Sequence, residues 1–461
     1  MAARDRIVPI IVASPLFLQN LDTSVMATAL PSIAQSLQVP ALHLNLAITS
    51  YLLSLAVFLP VSGWLADRFG ARRVFCWAIA AFSLGSALCG AAQSLEELVL
   101  FRILQGMGGA MMVPVGRLIL LRSVPAERLV SAMVWFTVPP VIGRMIGPLF
   151  GGTIVTFSSW RWIFLVNIPF GLLAMLMAWL FVDAGNEHRR HESFDLTGFV
   201  LLGLGLSALL GAIELAGKSM VPAWALWVAA GVGCAALLAY VAHSRRLTNP
   251  IIDLAILRVQ TYRATVIGGM PLRIAIGASP FLLPLLMQLG FGFSPLASGL
   301  LTVATAVGAL GTRVVMAQSI RRFGFRPLLI SCTVLTSLFY ISYGQFRADT
   351  PHVLMFITMM LGGLVNSMAM VAIQTLGFSD ISKARMSHAT ALSSMGQQLS
   401  LSLGVILGAS VLTLASHWNG NAPGQLHAAD FSPAFLVVGL LTMLSLLSFV
   451  RLSATEGQHL R

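Results

Sequence analysis

The chain carries fourteen mostly apolar stretches of about 20 residues or more, the length that crosses a hydrocarbon core about 30 Å thick as an α-helix. They run approximately over 9–34, 44–66, 74–92, 98–120, 130–156, 162–183, 196–216, 222–243, 262–288, 295–317, 326–346, 352–375, 388–415 and 432–452. Lipid offers no hydrogen-bond partner to a backbone, so segments this apolar must satisfy their own N–H and C=O groups as helices. The expected class is therefore an all-α membrane protein. Composition agrees: 57% of the 461 residues are hydrophobic and 10% charged, too few polar side chains to clothe a soluble globule.

An even number of spans puts both termini on one side, and the arginines say which. Arg4, Arg6, Arg68, Arg72, Arg73, Arg122, Arg128, Arg189, Arg190, Arg245, Arg246, Arg321, Arg322, Arg326, Lys383 and Arg385 fall at the N-terminus or in alternate loops. The opposite loops hold little beyond Glu96, Glu97, Arg161, Lys218, Arg347 and Asp349. Excess Lys and Arg mark cytoplasmic loops, so both termini are expected in the cytoplasm. The net charge of +12 is spread over these short loops rather than along one basic face, which suits anionic lipid headgroups and not nucleic acid. Arg4-Asp5-Arg6 before an apolar run resembles the start of a signal peptide, but the run is long and contains Asp22, so a first spanning helix is expected. Cys76, Cys89, Cys234 and Cys332 lie singly within apolar runs and read as packing residues. No phosphate-binding glycine loop, nucleophile elbow, carboxylate dyad or metal-spaced histidine set occurs. An enzyme is not expected, nor a cofactor or metal.

Charge in the first third is concentrated in Gly63-Trp64-Leu65-Ala66-Asp67-Arg68-Phe69-Gly70-Ala71-Arg72-Arg73, read as a short loop with Gly63 and Gly70 supplying the turn. Arg68-Phe69-Gly70 with Arg72 recurs as Arg322-Phe323-Gly324 with Arg326. The stretch resembles the signature between helices 2 and 3 of the major facilitator superfamily of secondary transporters. The repeat divides the chain into two six-helix bundles, 1–183 and 259–461, with a hydrophilic linker at 184–195 and two inserted helices in 196–258. Fourteen helices in this order resemble the drug:proton antiporter branch. The resemblance implies that Asp67, with Arg68 and Arg72, gates the exchange between states; the plainer reading of Asp67 is a charge that balances Arg68.

Asp22 stands deep in the first span, where a carboxylate costs about 2.5–3.5 kcal/mol unless it finds a cavity, a partner or a proton. Gln19 and Met26 lie one turn to either side on the same face, and Gln19 is placed to hydrogen-bond it. The surrounding residues resemble the helix 1 motif of the antiporter branch, which implies a proton-linked acid. Arg102 opens Arg102-Ile103-Leu104-Gln105-Gly106, similar to the family's helix 4 motif. From the rise per residue, Asp22 is about 24 Å from the inner edge and Arg102 about 7.5 Å from the outer one, so the two are level and an ion pair is allowed. A permanent packing pair is the competing account.

Helix 5 carries Gly143-Arg144-Met145-Ile146-Gly147-Pro148-Leu149-Phe150-Gly151-Gly152, whose glycines at i, i+4 and i+8 form a groove for a neighbouring helix. The run resembles the antiporter motif, except that Arg144 stands where the family usually has a small residue or proline. It can pair with Asp22, receive an anionic substrate or wedge the cavity in one state. Arg273 falls near the midplane of the ninth span, and is read as contacting substrate or gating. Asn366, Gln397 and Gln398 are polar groups at membrane depth, serving either as interhelical hydrogen bonds or as cavity lining.

The function expected is proton-coupled export of amphiphilic small molecules or drugs by alternating access. The protein would act as a monomer in a bacterial inner membrane, with protons, substrate and lipid as its partners. The alternatives are an exporter of a specific anionic metabolite or lipid-like solute, and a non-transporting sensor or scaffold.

Overall fold

The computed structural model describes residues 4–123, 129–182, 194–216, 221–247, 250–382, 385–421 and 425–453. Most of the linker at 184–195 lies outside them, as do Arg128, Arg189, Arg190, Lys218 and Lys383. The first bundle comprises α1 (Arg4–Leu37), α2 (Asn45–Phe58), α3 (Val61–Phe69), α4 (Ala71–Ala91), α5 (Leu95–Ser123), α6 (Leu129–Phe157), α7 (Trp162–Leu165) and α8 (Asn167–Phe181). An antiparallel pair follows, α9 (Leu196–Leu215) and α10 (Ala223–Ser244). The second bundle comprises α11 (Gln260–Val266), α12 (Met270–Leu285), α13 (Pro295–Phe323), α14 (Phe325–Tyr343), α15 (His352–Phe378), α16 (Met386–Trp418), α17 (Ala428–Met443) and α18 (Leu446–Phe449). Among the described residues thirteen helices are long and apolar enough to cross a membrane. The 29-residue α6, about 43 Å long, makes the fourteenth.

Several spans are broken where the sequence reads as one. α2 gives way to α3 at Leu59-Pro60, α7 to α8 at Val166, α11 to α12 at Ile267–Gly269, and α12 ends in a π turn over Leu286–Gly290. The stretch 63–73 corrects the expectation of a loop: it is helical on both sides of Gly70, and Gly63 lies inside α3 rather than at a turn. The single linking residue Gly70 has φ 93°, and Gly324 in the repeat has φ 80°, a region closed to most side chains. One glycine therefore reverses the chain in each bundle.

The two bundles touch mainly through α6 with α13, α2 with α16, and α1 with α12. Far from the face where α1 begins, the fit is tight: a Cβ on Gly152 would stand 2.5 Å from the Pro295 carbonyl oxygen, and one on Gly299 would strike that of Pro148. Gln288, in the π turn, donates from Nε2 to the Thr28 carbonyl at 2.9 Å. Toward the face where α1 begins, the bundles part around a cavity of about 770 Å³. The molecule is thus closed at one face and open at the other.

The inserted pair is fastened at the open face. Asp195 caps α9, accepting from the Gly198 N–H at 2.8 Å, pairs with His243 of α10 at 2.8 Å, and accepts from the Ile251 N–H at 3.3 Å. Burial raises its pKa, but these bonds outweigh burial and hold the carboxyl below the usual range. A file of rings joins the pair to the first bundle: Trp64 to Phe194 at 4.7 Å, Phe194 to Phe199 at 5.8 Å and Phe199 to Phe58 at 5.7 Å.

Within the second bundle α13 crosses α15 at backbone contact, since a Cβ on Gly308 would meet the Met360 carbonyl and one on Gly363 the Thr305 carbonyl. Gly308→Val is expected to cost about 1–3 kcal/mol through overpacking. It should lower the thermal midpoint of the detergent-solubilised protein, read by tryptophan fluorescence. Gly311→Ala, whose added carbon has 3.4 Å of room to Leu364, should leave that midpoint in place.

Candidate proton-coupling and substrate site

Asp22 is 3% exposed and lies inside the first bundle among α1, α2, α5 and α8. Arg102, wholly buried on α5, places Nη1 2.5 Å from Asp22 Oδ2. The other carboxylate oxygen accepts from Gln105 Nε2 at 3.0 Å and from Asn167 Nδ2 at 3.2 Å. Asn167 also donates to Ser86 Oγ at 2.9 Å, and Ser86 donates to the Phe164 carbonyl. The guanidinium is shared: Nη1 also reaches Gln105 Oε1 at 2.7 Å and Nε the Ala47 carbonyl at 3.2 Å, with the Tyr51 ring 4.2 Å away as a cation–π partner. Its Nη2 finds no acceptor among the described residues.

The expected surroundings of Asp22 change here. Gln19 is buried beside the site, but Gln105 and Asn167 satisfy the carboxylate in its place. Met26 has no accessible surface and packs in the core, so it lines no cavity in this state. Asp22 itself is sealed away from water. Neither Gln105 nor Asn167 was singled out from sequence, although Gln105 lies three residues after Arg102 on the same helical face. Asn167 had a fainter signal, an amide beside Ile168-Pro169 at the start of α8.

Arg144 does not pair with Asp22. Its Nη2 donates to Asn20 Oδ1 at 2.7 Å, and its backbone carbonyl accepts from Ser24 Oγ at 2.9 Å. The α6 glycines divide their work between two neighbours. Carbons added at Gly143, Gly147 and Gly151 would lie 2.5 Å from the Phe17 carbonyl, 2.5 Å from Ser24 and 2.9 Å from Val25, all on α1. Gly152 and Pro148 face α13 instead.

Arg273 on α12 is 2% exposed, and its Nε and Nη1 have no acceptor among the described residues. Asn366 donates to the Tyr340 hydroxyl and accepts from Thr336, both at 3.0 Å, which is an interhelical role. Gln397 is half-buried and accepts from Gln374 at 3.4 Å; Gln398 is half-buried beside it.

Asp67 lines the open cavity with Trp64, Arg117, Asp195 and His388. Arg117, near the end of α5, thus forms part of the cavity wall. Arg68 lies 5.8 Å from the Trp64 ring. Arg72 stacks 4.6 Å from Trp179 and donates to the carbonyls of Trp179 and Val182, tying the start of α4 to the end of α8.

Solved structures similar to this chain show the same fold. A POT family peptide transporter superposes with a TM-score of 0.71 at 14% identity, covering 97% of each chain. The xylose transporter XylE from E. coli, in a partially occluded inward-open conformation, gives 0.63 at 14% identity and covers 99% of each. Among sequences, the "Putative multidrug resistance protein MdtD" of Pectobacterium atrosepticum is 39% identical over 449 residues, 96% of this chain and 93% of that protein. Its namesake in Salmonella heidelberg is 38% identical over 452 residues, 98% of this chain and 95% of that one. Residues 16–245 and 265–460 match the Major Facilitator Superfamily, and the chain belongs to that family of multi-pass membrane transporters.

Proposed function

We propose that the protein is a proton-coupled exporter of amphiphilic small molecules in a bacterial inner membrane, a reading supported by its MdtD relatives. Both termini are taken as cytoplasmic. The open face carries Arg68, Arg72, Arg73, Arg245, Arg246, Arg321, Arg322 and Arg326, in keeping with the positive-inside rule. On that orientation the cavity faces the cytoplasm, where an exporter takes up its cargo.

The observation that carries the reading is the position of Asp22 on α1. Six residues further along the same helix, about 9 Å, the Thr28 carbonyl holds Gln288 of the second bundle across the closed face. Between them Ser24 grips α6. One helix thus bears both the buried acid and the contact that shuts the outer face. As a carboxylate, Asp22 is held by Arg102, Gln105 and Asn167, which lock α1 to α5 and α8. A proton on it would remove half of the ion pair and loosen that lock. In the outward-open state Asp22 would take a proton from outside, and in the inward-open state Arg102 would expel it. One charge moved through 100 mV releases about 2.3 kcal/mol, enough to hold roughly a fifty-fold gradient of a neutral solute at about 1.4 kcal/mol per tenfold.

Two outcomes are expected. Asp22→Asn leaves Arg102 buried beside a neutral amide, a cost of about 3–5 kcal/mol that should lower the thermal midpoint. The double variant Asp22→Leu with Arg102→Met should recover most of the loss. In proteoliposomes carrying an internal pH dye, wild-type protein should move protons when presented with neutral, cationic or anionic amphiphilic dyes that it exports. The folded double variant should move dye only down its gradient and no protons. Full proton flux in that variant would overturn the assignment of Asp22.

A further inference from the structure

We propose that Arg144, with Asn20, forms a receptor for the oxyanion head of an amphiphile reached through the seam between α6 and α13; the proposal takes from the export reading only that this seam belongs to the transport path. Antiparallel contacts fix the geometry of the seam. Gly152 abuts Pro295 and Pro148 abuts Gly299, so one turn nearer the open face Arg144 is level with Val303. The Arg144 backbone therefore lies about 6 Å nearer the open face than the Pro148–Gly299 contact. Its side chain is exposed, on the same face of α6 as Pro148 and Gly152, which meet α13.

The charge there is unanswered. A guanidinium has five N–H donors, and the bond that engages it is to a neutral amide oxygen, Asn20 Oδ1. No carboxylate pairs with it among the described residues. Asp22, two residues from Asn20 on α1, is fully committed to Arg102, Gln105 and Asn167. Arg273 points the same way from the second bundle, a buried cation with two nitrogens lacking acceptors among the described residues. A cation held at membrane depth without a counter-charge is costly until an anion joins it.

The wall opposite is apolar. Val303, Ala306 and Val307 follow on α13, and Val307 is 39% exposed. A charged head at Arg144 with a hydrocarbon body against these residues satisfies both surfaces. The inserted pair packs on the other side, where α9 meets α2 and α16, so it covers the opposite seam and leaves this one facing lipid.

The test uses the full chain in zwitterionic-lipid nanodiscs and a fluorescent dansyl-undecanoic acid with its methyl ester. The acid should bind at least about tenfold more tightly than the ester, because only the acid makes charge-assisted bonds. Arg144→Gln, which can still donate to Asn20, should abolish that preference without weakening the ester, and Arg144→Lys should keep part of it. Equal binding of acid and ester by wild type, no binding of either, or an unchanged preference in Arg144→Gln would overturn the proposal. Added phosphatidylglycerol that displaces the acid would identify a lipid phosphate as the anion's source; failure to displace it would identify a free amphiphilic acid. The export reading fails separately, when proton flux survives in the Asp22→Leu, Arg102→Met variant whatever the acid-to-ester ratio.

Discussion

A carboxylate and a guanidinium removed together from water must compensate each other, and the pair Asp22 and Arg102 does so with help from every side. Desolvation of two ions costs several kcal/mol each, recovered only when geometry is good and the remaining donors and acceptors are filled. Gln105, Asn167, the Ala47 carbonyl and the Tyr51 ring supply that second layer. Because these groups come from α1, α2, α5 and α8, the pair joins four helices of the first bundle through one buried polar network. Elsewhere in the bundle apolar packing and close backbone contacts dominate, with local bonds such as those of Arg72 and Ser24.

The second bundle is not a copy of this arrangement. Arg273 is buried like Arg102, but no carboxylate pairs with it among the described residues. The halves share backbone architecture, down to Gly70 and Gly324 at equivalent reversals, and differ in charge. The seal at the closed face is plain, made of glycines against carbonyls and the bond from Gln288 to Thr28. Contacts of that kind part without stranding a charge.

Much of this was legible in the sequence because hydropathy and arginine placement report directly on the bilayer. The number of spans, the repeat and the level pairing of Asp22 with Arg102 followed from residue counts and rise. The breaks did not follow, since Leu59-Pro60 and Ile267–Gly269 interrupt helices without interrupting apolarity. Hydrogen-bond partners were harder still. Gln19 lies one turn from Asp22 and Asn167 is 145 residues away, yet it is Asn167 that tertiary packing brings to the carboxylate. Arg144 drew attention as a departure from a motif, but its partner Asn20 depended on how α1 and α6 rotate against each other, which no periodicity specifies.

The single-residue reversals at Gly70 and Gly324 leave no slack between the helices they join. Adding one residue to either would advance the next helix by about 1.5 Å and turn its faces by about 100°, aiming packed surfaces at lipid and lipid-facing ones at the core. Length is thus fixed as strictly as residue type at those two corners. Variation in length among such chains must accumulate elsewhere, in longer connections where a register error is not passed on to a neighbouring span.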